Sequence, residues 1–390
     1  MAVEQDWGRG VTTPPAVAGQ GAMRDKGQGA VIWLATGGTG GHVFPALALA
    51  QYLQQQGYRP IILSDARGQR YLQDWPAVAQ RRVIAATPRR AGLRAKLSAA
   101  VLLAIGLVQA LWYGLRDQPV AVIGFGGYAS VPPMLAAWLC RRRLVVHDAN
   151  AKLGAANRFL LRFAAVLAAG LPGLPAGLPP RWRHKLVVTG TPVRTSLSQH
   201  FTPWQPPAPD QPFRLLVVGG SQGAKVFGEA VPAAIALLPV ALRQRLRLTQ
   251  QCRVEDLPRV QAIYAELGVE AELAPFFSDM GQRYAACDAI IARSGASTVA
   301  ELLLLRRPAI LIPFAASLDG DQAANAASLA AQDQAVILME KQPDLVAALA
   351  GLIESFMAGN HPVVHRLATQ LNQPPARAEQ LLTDLLLSPA

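Results

Sequence analysis

Four glycines and a histidine fall almost side by side in Gly37-Gly38-Thr39-Gly40-Gly41-His42, between an apolar run and an amphipathic one. Glycine turns the backbone tightly, and amide N–H groups left exposed at a helix N-terminus attract anions, so the loop suits a phosphate or another oxygen-rich group. It is not a dinucleotide fingerprint: Gly38 and Gly40 supply the first pair of GxGxxG, but Val43 stands where the third glycine belongs. Nor is it a P-loop, since no GK[ST] follows any such cluster. Two further clusters, GFGGYAS (Gly124–Ser130) and GGSQGA (Gly219–Ala224), repeat the order strand, glycine, helix. Tight turns alone would explain any one of them; three at strand ends point to a bound oxygen-rich ligand. His42 has two readings. Its ordinary pKa near 6.5 suits a general base at neutral pH, and a lone histidine at a helix start also serves as a hydrogen-bonded structural residue.

The elements that must hold these residues alternate. Short apolar runs at 30–36, 60–65, 121–126 and 143–148 are separated by longer helical patterns, and the scheme restarts at 214–220, 246–251, 289–295, 309–314 and 335–339. Such alternation predicts α/β architecture, two Rossmann-like domains with parallel sheets facing across a cleft, with ligands at the carboxyl ends of the strands. Residues 1–29 lack the apolar core of a secretory signal and are expected to be a disordered leader, with Met23 an alternative start. The first domain is expected over 30–193 and the second over 213–374. The proline-rich, polar stretch Thr191–Pro212 breaks both periodicities and supplies the linker, placed at 194–212. A last helix at about 375–390 is expected to be able to pack back on the first domain.

The chain of 390 residues carries a formal net charge of +12, which fits a polyanion, an anionic membrane surface or a phosphate-bearing substrate. Nucleic acid is disfavoured, because the basic residues are scattered and no helix-turn-helix, zinc-finger or RNP-type pattern accompanies them. Cys140, Cys252 and Cys287 are odd in number and far apart, so neither a disulfide framework nor a zinc site is indicated, and a reducing cytoplasm fits best. The stretch Leu97–Leu115 approaches the length of a membrane span. Gln109 interrupts it and it lies mid-domain, so a buried crossover helix is expected. The basic flank Arg89, Arg90, Arg94 and Lys96, with Trp112 and Tyr113, allows a second reading, a helix resting on an anionic membrane surface.

Taken in order, ATGGTGGHVFPALALA, GFGGYASVPPMLAA, HDANAKLGAANR, TGTPVR, VVGGSQGA and RSGASTVAELLLLRRPAILIPF followed by DQAANA resemble the MurG family of peptidoglycan glycosyltransferases from about residue 30 onward. The resemblance implies a GT-B enzyme that inverts configuration while moving N-acetylglucosamine from UDP-GlcNAc to the C4 hydroxyl of MurNAc in undecaprenyl-linked lipid I. The product would be lipid II. It also implies peripheral attachment to the cytoplasmic face of the inner membrane, with other cell-wall enzymes as partners.

By the same resemblance, Glu301 matches the carboxylate that holds the ribose hydroxyls, and Ser221 and Gln222 match phosphate and uridine contacts. Arg194 matches a cation near the nucleotide, Ala296, Ser297, Thr298 and Val299 line its pocket, and Phe277 lies where a backbone group meets uracil. Gln322 and Asn150 match contacts to GlcNAc, while Thr39, Gly40 and Gly41 face the sugar-transfer cleft. His42 matches the histidine on the acceptor side, a candidate base.

Two departures stand out. The family usually reads HEQN where this chain has His147-Asp148-Ala149-Asn150, so Asp148 is one methylene short of a family acid-base candidate. Asp321 precedes Gln322 where a histidine is frequent. Asp319-Gly320-Asp321 spells a DxD, a spacing that holds metals elsewhere; this fold class offsets diphosphate charge with amides and a helix terminus, so no obligatory metal or other cofactor is expected. Two alternatives are another GT-B UDP-sugar enzyme with a different acceptor, and a catalytically silent scaffold that binds UDP-sugar or lipid.

Overall fold

The computed structural model describes residues 29–73, 75, 78–84, 93–173, 175–194, 197, 199, 202–220, 224–317, 320–369 and 377–388, with the side chains of 93–96 excepted. Residues 1–28 of the expected leader, the side chains of Arg89, Arg90, Arg94 and Lys96, and residues Ser221, Gln222 and Asp319 lie outside the described set.

Two parallel sheets organise the chain. The first holds β1 (Val31–Thr36), β2 (Arg59–Ser64), β3 (Ala79–Arg82), β4 (Ala121–Gly124), β5 (Arg143–Asp148), β6 (Val166–Ala169) and β7 (Leu186–Val188) in the order β3-β2-β1-β4-β5-β6-β7. The second holds β8 (Phe213–Val218), β9 (Leu246–Gln251), β10 (Glu270–Ala274), β11 (Ala289–Ala292), β12 (Ala309–Leu311) and β13 (Ala335–Ile337) in the order β10-β9-β8-β11-β12-β13. The order reverses between β1 and β4 and again between β8 and β11, and those crevices are where open α/β sheets bind ligands. The glycine clusters after β1, β4 and β8 open at them.

Central strands are apolar on both faces, as helix-covered parallel sheets require. Ile32 and Leu34 pack with Val43, Leu47 and Leu53 of the helix Gly40–Gln55 and with Leu382 and Leu386 of the C-terminal helix Ala378–Leu387. Trp33 and Ala35 face the other way, toward Met134 and Ala137 of the helix Val131–Leu139. The C-terminal helix is also tied to the first domain by polar bonds: Arg143 Nε donates to the Leu385 carbonyl (2.7 Å) and the Val193 N–H donates to Glu379 (3.2 Å).

The nine apolar runs all form strands. Four strands carry no such signal: β3 reads AQRR on an edge, β10 reads EAELA, and β6 and β7 are only four and three residues long.

The helix Leu93–Asp117 is the crossover between β3 and β4, but it is not buried. Its inward face is built largely of small residues. Ala99 and Ala110 are buried, a side chain at Gly106 would collide with the Ile84 carbonyl, and Gly114 lies against Trp33. Of its large side chains, Leu97, Val108 and Leu115 face out, 65, 68 and 72% exposed, with Val101, Ile105 and Trp112 exposed beside them, while Tyr113 packs against the core. Only 22% of its most apolar window is covered. Gln109 holds the exit of the edge strand, accepting from Ile84 N and donating to the Arg82 carbonyl, each at 3.0 Å. Both ends of the helix join strands of one sheet, so within this fold it cannot span a bilayer.

Candidate functional site

The first two glycine clusters touch. A methyl group added at Gly37 would stand 2.7 Å from the Gly127 Cα, and one at Gly127, whose φ is +76°, would stand 2.7 Å from the Gly37 Cα. Only glycine permits this approach, and it brings the loops after β1 and β4 together at the switch point. The His42 ring fills the space beside them: a Cβ at Gly126 would lie 3.2 Å from His42 Nε2. Thr39 precedes the helix Gly40–Gln55 in extended conformation, and its Oγ1 is 2.9 Å from His42 Nδ1. Burial lowers the His42 pKa, while the nearby Asp148 carboxylate pulls it up. Gly41 faces open space.

Asp148 ends β5 with its side chain buried and occupied. It accepts from Asn150 N (3.1 Å), Gly154 N (2.8 Å) and Asn157 Nδ2 (3.0 Å), which makes it the anchor of the loop that follows. Burial pushes its carboxyl up against these three donors. Its neighbour His147 donates from or accepts at Nε2 with the Gly190 carbonyl 3.1 Å away; only donation suits a carbonyl, and burial holds its pKa near 4, so it is neutral.

The anchored loop meets the second domain. Asn325, fully buried on the helix Asp321–Ala330, accepts from Ala151 N (2.8 Å) and donates to Asn150 Oδ1 (3.1 Å) and the Ser294 carbonyl (3.2 Å). Ser328 Oγ donates to the Pro172 carbonyl nearby.

Arg194 spans the same crevice. Its guanidinium lies 5.1 Å from the Phe44 ring centroid, on the His42 helix, and its Nη2 is 3.7 Å from Glu301 Oε1, on the helix Ala296–Leu305. Glu301 is buried, which raises its carboxyl pKa; Arg194 and a hydrogen bond from Tyr284 act in the opposite sense. Ala296, Ser297 and Thr298 are half-buried at the start of that helix. Val299 is a correction: it is 0% exposed, packs in the core, and its N–H is spent on the Gly295 carbonyl, so its side chain does not line the opening. Phe277 is buried beneath the Arg283 guanidinium, 4.1 Å from its ring centroid, while Phe276 stands 71% exposed.

Gln322 begins the helix Asp321–Ala330. Its Oε1 accepts from Phe314 N (2.9 Å) and its carbonyl accepts from Ser294 Oγ (2.8 Å). Among the described residues no group of three or more histidines, cysteines and carboxylates is placed to hold a metal ion. Sequence reasoning missed Asn325, Tyr284 and Phe44. Asn325 lies within the quoted DQAANA, but its partners are far away in the chain.

Residues 32–168 match the glycosyltransferase family 28 N-terminal domain and residues 214–361 the glycosyltransferase family 28 C-terminal domain. The chain is 47% identical over 303 residues to a UDP-N-acetylglucosamine--N-acetylmuramyl-(pentapeptide) pyrophosphoryl-undecaprenol N-acetylglucosamine transferase of Methylobacterium nodulans, covering 77% of this chain and 81% of that protein. It is 43% identical over 366 residues to the transferase of the same name from Allorhizobium ampelinum, covering 91% and 94%. The crystal structure of Acinetobacter baumannii MurG superposes with a TM-score of 0.73 at 31% identity, over 92% of this chain and 99% of that one.

Proposed function

This chain belongs to glycosyltransferase family 28, among the MurG N-acetylglucosamine transferases, and on that premise we propose how its residues divide the reaction. It is a UDP-GlcNAc-dependent enzyme of peptidoglycan synthesis that converts lipid I to lipid II. The C4 hydroxyl of MurNAc attacks the anomeric carbon of GlcNAc, the bond from that carbon to the UDP oxygen breaks, and UDP leaves with the electron pair. His42 takes the hydroxyl proton. Thr39, Gly40 and Gly41 border the acceptor; Glu301 holds the ribose; Arg194 faces the diphosphate; Asn150 and Gln322 contact the sugar.

The observation that carries this reading is the position of Arg194, between Phe44 on the His42 helix and Glu301 on the donor side. A cation at that point offsets the charge that develops on a departing diphosphate, and so we propose that no metal is obligatory. Transfer of labelled GlcNAc from UDP-GlcNAc to a short-chain lipid I analogue tests both statements. Turnover is expected, and it is expected to persist in excess chelator. Loss of turnover restored by magnesium would overturn metal independence, and UDP-GlcNAc binding without transfer would favour the scaffold.

For location, we propose peripheral attachment at the cytoplasmic face of the inner membrane through the outer face of the helix Leu93–Asp117. Exposed apolar residues along one helix face, with Arg116 stacked 5.7 Å from the Trp112 ring centroid, support it. Val108→Asp together with Leu115→Asp replaces two exposed side chains and leaves the core intact. Co-sedimentation with vesicles containing anionic lipid is expected to weaken at least about tenfold, since burying each such side chain is worth roughly 1.5 kcal/mol or more. Unchanged sedimentation would place the contact elsewhere.

A further inference from the structure

Among the described residues of the stretch between β12 and the helix Asp321–Ala330, three hydrogen bonds with side chains hold the backbone, and two of them converge on one ion pair. Arg293, which follows β11, is 8% exposed. Its Nη1 donates to the Ile312 carbonyl (3.0 Å) and its Nη2 to Glu340 Oε1 (2.8 Å). The other oxygen of Glu340 accepts from Ala315 N (2.8 Å). The guanidinium also lies between two rings, 5.3 Å from the centroid of Phe227, on the helix after the third glycine cluster, and 5.2 Å from that of Phe314. Arg293 and Glu340 thus grip the loop at Ile312 and Ala315, on either side of Phe314.

Phe314 is the residue whose N–H reaches Gln322 Oε1. A backbone N–H accepts nothing, so this bond fixes which end of the Gln322 amide is spent and leaves Nε2, with its two hydrogens, for a ligand. If the loop moved, Phe314 N would leave Oε1 and the amide could rotate to present either end.

We propose that Glu340, acting through Arg293, is a positioning residue that locks the loop after β12 so that Gln322 offers its amide N–H groups to the oxygens of the donor sugar. The inference rests on the reading of Gln322 as a sugar contact and adds the residues that orient it. Glu340 touches neither sugar nor nucleotide in this scheme. Charge-assisted hydrogen bonds in a partly buried setting are strong enough for such a lock.

The test compares the affinities of the full-length chain for UDP-GlcNAc and for UDP by titration calorimetry. Glu340→Ala is expected to weaken UDP-GlcNAc roughly tenfold, the equivalent of one lost hydrogen bond to the sugar, and to leave UDP within about twofold. Glu340→Gln, which keeps an oxygen for Ala315 N but loses the charge facing Arg293, is expected to fall between Glu340→Ala and the unaltered chain. A residue that only stabilised the domain would weaken both ligands alike as the thermal midpoint fell, and equal weakening, or none, overturns the proposal. Gln322→Ala run alongside separates the two claims. If it spares the UDP-GlcNAc to UDP ratio, Gln322 is not the sugar contact; if it collapses the ratio while both Glu340 variants spare it, only the positioning role fails.

Discussion

Glu301→Ala is expected to raise the KM for UDP-GlcNAc about a hundredfold and to leave kcat within about threefold. A carboxylate is an acceptor-only group with room for about four hydrogen bonds. Here Tyr284 supplies one, and Arg194 stands off at 3.7 Å, too far for a tight bond, so acceptor capacity remains for a pair of ribose hydroxyls. Two hydrogen bonds to a charged group, at about 1.5 kcal/mol or more each, give the factor of a hundred. Because the nucleotide is bound equally in ground and transition states, the loss falls on KM. Glu301→Gln keeps shape and one acceptor oxygen and is expected to cost nearer tenfold. Steady-state kinetics with UDP-GlcNAc varied at saturating lipid I analogue decides the matter. An unchanged KM, or a loss confined to kcat, would remove Glu301 from the ribose.

How far the sequence could be read depended on how local each feature was. The central strands announce themselves because both their faces are buried, so every residue of VIWLAT is apolar or small. Edge strands have no such constraint, and EAELA of β10 carries residues that favour helices; only its pairing with β9 makes it a strand. The helix Leu93–Asp117 was legible in type but not in orientation. A core-facing helix is expected to turn its large apolar side chains inward, whereas this one packs largely through Ala99, Gly106, Ala110 and Gly114, with Tyr113 beside them, and exposes Leu97, Val101, Ile105, Val108, Trp112 and Leu115. The glycine loops and His42 are contiguous in sequence, and their chemistry could be inferred from spacing. The bonds that complete the site are not contiguous: Arg293 and Glu340 are 47 positions apart and Asn150 and Asn325 are 175 apart. Nothing in either neighbourhood names the partner, and only the fold brings them together.

His42→Ala is expected to lower kcat by about a hundredfold to ten-thousandfold, the range over which a positioned general base acts, with the KM for UDP-GlcNAc within about twofold. The hydrogen bond between His42 Nδ1 and Thr39 Oγ1 holds the ring: when Nδ1 is the donor, Nε2 keeps its lone pair for the proton, and the ring lies so close to Gly126 that a side chain there would crowd Nε2. Burial lowers the pKa of His42 from the usual 6.5. The base is the neutral form, so a lowered pKa enlarges the active fraction at neutral pH, and the acid limb of kcat is expected to lie on the acid side of an ordinary histidine's. In His42→Ala that limb should vanish from the residual rate. Thr39→Val removes the hydrogen bond to Nδ1 but leaves the ring present, so its loss should be smaller and its acid limb should persist. A His42→Ala enzyme that kept the full rate, or kept the same acid limb, would assign the proton to another group. Asp148 is a poor candidate for that role while three N–H donors occupy its oxygens, because freeing it to take a proton would cost the loop that carries Asn150.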